Sequence, residues 1–236
     1  METTRALLVI ADIGGYTRFM RMHRMSLAHA QENVGRLLEA VMDAAPRLEL
    51  SEIEGDAAFL YVTEPEADEI SRSLAAVTTA MHSAFHAEQA LLESLSICWC
   101  DACTQTGKLT VKVVAHLGEV VAQTVRGRTT LAGVDVILVH RMLKNSVPLT
   151  EYVLMTEPVL ERCRADFGDR AEPIEEELEG LGRHQLWFVD IEQLAEPLPP
   201  APSATWAAKA GHAAALTARS LPYYVGLKRS GARPES

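Results

Sequence analysis

Apolar residues in this chain fall into short dense runs separated by longer stripes of helical period. Ala6-Leu7-Leu8-Val9-Ile10-Ala11 is short, unbroken and rich in β-branched residues, which predicts a buried strand over 5–12. The same reading predicts a helix over 26–45, strands over 47–53 and 57–63, and one long helix over 66–95. A loop is expected over 96–107, then strands over 109–116 and 119–125 joined at Gly118, with Leu109, Val111 and Val113 on one face. A helix over 131–145, a strand over 152–156, a short helix over 157–166 and a last strand around 185–190 complete the pattern. Helix-bearing strand units around one sheet make an α+β fold, a ferredoxin-like antiparallel sheet with flanking helices.

The pattern changes at Pro197. Pro197-Leu198-Pro199-Pro200-Ala201-Pro202 must be extended, because proline blocks a helix and restricts the residue before it. The expected division is therefore a domain over 1–195 and an extension over 196–236. In the extension Trp206, Ala210, Ala213, Ala214 and Leu221 can line one side of an alanine-rich helix. Its basic residues, Lys209, Arg219, Lys228, Arg229 and Arg233, suit an extension that folds back on its own acidic domain or on a second copy. Contact with a membrane surface is the alternative.

A formal charge of −10 over 236 residues excludes general nucleic-acid binding, which needs a basic face to displace counterions. Nothing approaches the roughly 20 apolar residues of a membrane-spanning helix. The N-terminal apolar run lacks a basic flank and is interrupted by Asp12, unlike a secretion signal, so a cytoplasmic protein is expected.

The strongest candidate chemistry follows the first strand, at Asp12-Ile13-Gly14-Gly15-Tyr16-Thr17. Two glycines before a helix leave backbone N–H groups facing outwards, which suits phosphate. Glu54-Gly55-Asp56 forms a turn between two strand-like runs. Two carboxylates on adjacent strand ends can hold a divalent metal, and the metal a polyphosphate. Against this stand an Asp12 that merely caps the following helix and an Asp56 that merely makes a turn. Cys98, Cys100 and Cys103 are spaced to share a zinc ion, but a closed site needs a fourth ligand, from a histidine or a second subunit. The alternative is a cluster of reduced thiols packed in a loop.

The order strand, Asp-Ile-Gly-Gly-Tyr-Thr, helix, strand, Glu-Gly-Asp, strand, helix, strand, His116-Leu117-Gly118-Glu119, strand, helix resembles the class III adenylyl and guanylyl cyclase homology domain. Cys98-Trp99-Cys100-Asp101-Ala102-Cys103 and His140-Arg141-Met142-Leu143-Lys144-Asn145 narrow the resemblance to a bacterial cyclase-like family of uncharacterised function. It covers roughly residues 5 to 192. The resemblance implies a purine nucleoside triphosphate as substrate and two Mg²⁺ or Mn²⁺ ions held by Asp12, Asp56 and the Ile13 carbonyl. It implies nucleotide contacts at Gly14, Gly15, Tyr16 and Thr17, and a head-to-tail homodimer with residues of both chains in each site.

Measured against that family, Glu52 stands where adenylyl cyclases carry lysine and guanylyl cyclases glutamate, so it is a candidate for reading guanine or else a solvent-facing strand residue. Thr130 falls on the second purine position and does not settle the base. Arg141 matches the transition-state arginine, with a surface ion pair as its alternative role. The family's asparagine is replaced by Ile137, which offers no hydrogen bond. Asp135 and Asn145 are polar groups of the same helix with no assigned task, Arg126 and Arg128 are candidate phosphate contacts, and His140 and Lys144 candidate dimer contacts.

Overall fold

Burial of every side chain from Ala6 to Ala11 makes the first strand the spine of the sheet. In a computed structural model of the chain, residues 3–16, 24–97, 101–125, 128–195 and 203–224 are described. Strand β1 (Thr3–Gly14) pairs antiparallel with β3 (Ala57–Thr63) on one side and β4 (Thr110–Val125) on the other. Strand β2 (Glu49–Glu54) pairs with the outer side of β3, and β5 (Arg128–Ala132) with the second half of β4. Beyond the first half of β4 lie β6 (Tyr152–Thr156), β8 (Gly182–Asp190) and β7 (Glu172–Leu178). Only the β4–β6 pairing is parallel, so the sheet is mixed and mostly antiparallel. This is the expected α+β architecture, with more strands than the sequence pattern suggested.

The helices are α1 (Arg24–Asp43), α2 (Glu66–Arg72), α3 (Leu74–Leu95), α4 (Asp101–Gln105), α5 (Val134–Met142), α6 (Glu157–Phe167) and α7 (Trp206–Tyr224). Two compact units emerge. One, Met1–Gly14, Leu38–His86 and Thr110–Leu198, holds the whole sheet; the other is Gly15–Leu37, Ala87–Leu109 and Pro199–Ser236. Within the sheet unit, Leu138, Val139 and Met142 of α5 pack on Leu8, Ile10, Phe59, Val114 and Val120, so one stripe of this helix closes one face of the sheet. Within the second unit, Arg36 pairs with Glu88 at 2.6 Å and Asn33 donates to Thr106 Oγ1 at 2.8 Å. Gln89 donates to the carbonyls of Thr106 and Leu109 in the same unit.

Three sequence expectations need correction. The long helix over 66–95 is broken at Ser73, where Ser71 and Ser73 turn their hydroxyls onto carbonyls of the preceding turn and compete with the helix ladder. The stretch 96–107 is not all loop but contains α4 and a 3₁₀ turn over Thr106–Lys108. The strands expected on either side of Gly118 are one strand, continuous from Thr110 to Val125 and paired with β1 from Thr110 to Val121. Along α7, Ala210 and Ala213 of the expected apolar side are half-buried, while Trp206 and Ala214 are exposed.

Gly118 is therefore not a turn residue. A Cβ added there would lie 2.4 Å from Asp135 Cγ and Oδ2, and the Asp135 carboxylate accepts the Glu119 N–H at 2.6 Å. The missing side chain lets the start of α5 lock onto mid-β4. Gly118→Ala is expected to lose about 1–3 kcal/mol through this overlap. Urea denaturation measures it, and an unchanged midpoint would mean that Asp135 moves aside freely.

Candidate metal and nucleotide site

The site residues of the sheet unit are placed by strand register. Asp12 sits opposite Ala57 on β3 and opposite Lys112 on β4. The β2–β3 connection is the two-residue turn Gly55-Asp56, with Gly55 at φ +66°, a conformation glycine adopts without strain. The Ile13 N–H donates to the Asp56 carbonyl at 3.0 Å, which ties the end of β1 to the tip of that hairpin. Both carboxylates thus stand at one end of the β1–β3 pair, as their sequence positions suggested.

Asp12 Oδ2 lies 3.1 Å from Lys112 Nζ, whose ammonium also donates to the Leu143 carbonyl at 3.2 Å. Asp56 is half-buried, and desolvation, together with the negative charge of nearby Asp12, raises its carboxyl to about 6. Lys112 lowers it only in part. Two neighbouring carboxylates, with one ammonium shared between Asp12 and the backbone, are the hard oxygen set that a divalent cation takes. The residues present fit Mg²⁺ or Mn²⁺. Lys112 was missed in the sequence reading. Its signal was a charged side chain within the apolar run Val111–Leu117, where only a paired ammonium is tolerated.

Gly14 lies against β4 so closely that an added Cβ would fall 2.2 Å from Thr110 Oγ1. Gly15 has φ +86° and, with Tyr16, opens the second unit; Thr17 lies outside the described residues. Ile13 is buried. Glu52 is exposed on β2, beyond a register shift between Leu50 and Glu52. It converges with Glu54 and His140, whose nearest ligand atoms all lie within 4.8 Å of one another. His140 Nδ1 is 3.5 Å from Glu54 Oε2 and its ring packs edge-on to Phe59.

Along α5 the polar residues separate into two kinds. Asp135 is held by the Glu119 N–H and lies 3.2 Å from His116 Nε2, while His116 Nδ1 bonds the Thr156 hydroxyl at 2.9 Å. Burial lowers His116, with Asp135 opposing the shift. Just beyond α5, Asn145 donates to the Met142 carbonyl and accepts from the Val147 N–H and the Tyr152 hydroxyl, so both ends of its amide secure the exit from the helix. By contrast, Ile137 is half exposed, and Arg141 reaches out to an ion pair with Glu179 at the β7–β8 turn. Thr130 is half-buried on β5 opposite Gln123.

Cys98 and Cys100 lie outside the described residues, as do Arg126 and the side chain of Arg128. Cys103 is buried, with its Sγ 3.7 Å from His29 Nδ1. Cys163 is buried in the sheet unit, where it donates to the Val159 carbonyl; desolvation pushes its thiol up to about 12.

Asp56 is the group whose titration reports the site. Its folded pKa of about 6 lies above the unfolded value of 3.8, so its stabilising contribution is present below the unfolded value. That contribution is lost as pH rises from there through about 6, where the carboxylate becomes free to take a cation. Mn²⁺ stabilisation is therefore expected to grow through pH 6, and Asp12→Asn to shift the Asp56 titration, read by ¹³C NMR, downwards. An Asp56 resonance indifferent to Asp12→Asn would separate the two carboxylates.

Residues 34–152 match the family described as protein of unknown function (DUF2652). The chain is 34% identical over 198 residues to the uncharacterized protein Rv2561/Rv2562 of Mycobacterium tuberculosis, covering 84% of this chain and 91% of that one. Its fold is similar to the adenylyl cyclase CyaB from P. aeruginosa, with a TM-score of 0.60, 13% identity and coverage of 85% of this chain and 98% of that one. It is likewise similar to the guanylate cyclase domain of RhGC from Catenaria anguillulae, solved in complex with GTP, with a TM-score of 0.56, 16% identity and coverage of 80% and 98%. The chain therefore belongs to the DUF2652 family and carries the fold of the class III adenylyl and guanylyl cyclase domains.

Proposed function

We propose that this protein is a slow nucleotidyl cyclase that binds a purine nucleoside triphosphate through divalent cations held by Asp12, Asp56 and the Ile13 carbonyl. The observation that carries the reading is the pair Asp12 and Asp56, close enough that the charge of Asp12 adds to burial in raising the Asp56 carboxyl to about 6. In the reaction, the ribose 3′ oxygen bonds to the α-phosphorus, the bond from that phosphorus to the bridging oxygen breaks, pyrophosphate leaves, and the hydroxyl proton passes to solvent. Bound Mg²⁺ or Mn²⁺ would offset the triphosphate's charge and favour ionisation of that hydroxyl. Gly14, Gly15, Tyr16 and Thr17 would contact the phosphates, Glu52 and Thr130 the purine, and Arg141 the charge that develops at the α-phosphate.

The proposed assembly is a head-to-tail homodimer. Leu50 and Ile53 on β2 and Val134 and Ile137 on α5 are large apolar side chains exposed in the single chain. These two elements meet through Glu54 and His140, so a second copy docking there would cover apolar surface and bring Glu52 and Arg141 to its partner's carboxylates. No helix among the described residues is long and apolar enough to cross a membrane. A cytoplasmic setting belongs to this proposal.

A second reading, a nucleotide sensor without turnover, is favoured by one observation. Asp135 and Asn145, the polar candidates to replace the missing asparagine, are both committed to internal hydrogen bonds. Removing one such donor costs about 10²–10³ in rate.

The deciding assay supplies each of four NTPs with Mn²⁺ or Mg²⁺ and measures cyclic product and pyrophosphate by mass spectrometry. Slow turnover is expected in the wild type, and Ile137→Asn is expected to raise it by about one to three powers of ten. Arg141→Ala should lower it again. Silence in both wild type and Ile137→Asn, with NTP still bound, would favour the sensor.

Asp12→Ala is expected to abolish the rise in Tm that NTP with Mn²⁺ produces, because ligand binding stabilises the native state by mass action. An unchanged rise would remove Asp12 from the site.

A further inference from the structure

We propose that His82, His86 and Glu151 form a second cation site, for Zn²⁺ or a similar transition-metal ion, built from the sheet unit alone and independent of Asp12 and Asp56. His82 and His86 lie four residues apart on α3, so both imidazoles project from one side of the helix. Glu151 immediately precedes β6, and its carboxylate meets them there. His82 Nε2 is 2.9 Å from Glu151 Oε2, and His86 Nε2 is 3.0 Å from both carboxylate oxygens. One ligand atom from each of the three residues lies within 4.8 Å of the others.

These spacings are close to those of a metal centre. Two ligand atoms about 2.0–2.2 Å from a tetrahedral zinc lie about 3.3–3.6 Å apart, so each imidazole and the carboxylate need separate by only about half an ångström. Two imidazoles and one carboxylate are also the donor set of three-ligand zinc sites that leave a fourth position open. The opening here would be on the side of His86, whose side chain is 19% exposed against 7% for His82 and 4% for Glu151.

The surroundings hold the donors in place. The Val111 N–H donates to Glu151 Oε1 at 2.8 Å, an outer contact that fixes the carboxylate's orientation. The two imidazoles pack edge-on at 4.5 Å, and Phe85 packs edge-on to His86 at 5.0 Å. The buried Glu151 carboxylate is met by His82, His86 and the Val111 N–H together. His82 Nδ1, on the far side of the ring from Glu151, is buried without a protein partner. With a cation on Nε2, that nitrogen carries the ring proton. The ion would pin α3 to the start of β6.

The test is Co²⁺ and Zn²⁺ titration of the metal-stripped full chain, with metal content read by mass spectrometry and coordination by the visible bands of Co²⁺. Tight binding with the bands of four- or five-coordinate cobalt is expected. His86→Gln and Glu151→Gln should each lose one equivalent, while Cys103→Ser should keep it. In the wild type, Zn²⁺ should also shift the ¹⁵N resonances of both imidazoles, a readout that needs no variant. Unmoved imidazole resonances, or equal stoichiometry in the wild type and a folded His86→Gln, would overturn the site. Thiolate-to-cobalt absorption that vanishes in Cys103→Ser, with no equivalent lost in His86→Gln, would place the ion at the cysteines instead.

Discussion

The two-sided pairing of β1 is the constraint from which the rest of the sheet unit follows. A strand buried on both faces must satisfy every backbone N–H and C=O through its neighbours, and β1 does so with β3 and with nearly the whole of β4. Register is then fixed, because a slip of one residue would turn every side chain to the other face. That register puts Lys112 opposite Asp12 and Ala57 beside it, and so brings the Gly55-Asp56 turn to the same end of the sheet. The site's carboxylates are placed by backbone ladders rather than by side-chain contacts, which a pair of like charges could not supply.

Electrostatics at that end is unfinished in the protein alone. One ammonium, on Lys112, faces two acids, and it is shared with the Leu143 carbonyl. Burial, with the charge of Asp12 added to it, makes Asp56 hold its proton to about 6. A chain of net charge −10 offers no general attraction for an anionic ligand, so any polyphosphate bound here must bring its own cations. Lys112 acts in two directions. It lowers the repulsion between the acids before a cation arrives, and it competes with that cation once it does.

Local chemistry made part of this legible in the sequence. The run Ala6–Ala11, the glycine turn at Gly55 and the strand Tyr152–Thr156 each carry their signal within a few residues. The continuous β4 did not, because a glycine inside a strand reads as a turn until the carboxylate it makes room for is known to be Asp135. Strand β7, Glu-Pro-Ile-Glu-Glu-Glu-Leu, reads as solvated loop; it tolerates its acids and proline because it is an edge strand. Asn145 looked like spare polar chemistry on α5, and its partners Tyr152 and Val147 belong to the following segment. The acids that meet Lys112 and the His82–His86 pair, Asp12 and Glu151, lie 65 residues or more away in the chain, and no local pattern reports those pairings.

Ground-state binding and transition-state stabilisation draw on different residues in the proposed cyclase, and the two sets have different standing here. Asp12 and Asp56 hold charge before and after reaction, so they secure the triphosphate whether or not it turns over. Arg141 is engaged with Glu179, but that pair is exposed on both sides, and such pairs contribute about 0–1 kcal/mol. Arg141 can therefore leave Glu179 for a phosphate at little cost. Ile137 has no equivalent recourse, since its side chain cannot donate and its polar neighbours on α5 are committed elsewhere. In the proposed cyclase the barrier to turnover would thus lie at one side chain on α5, while the machinery for binding would rest on the register of β1.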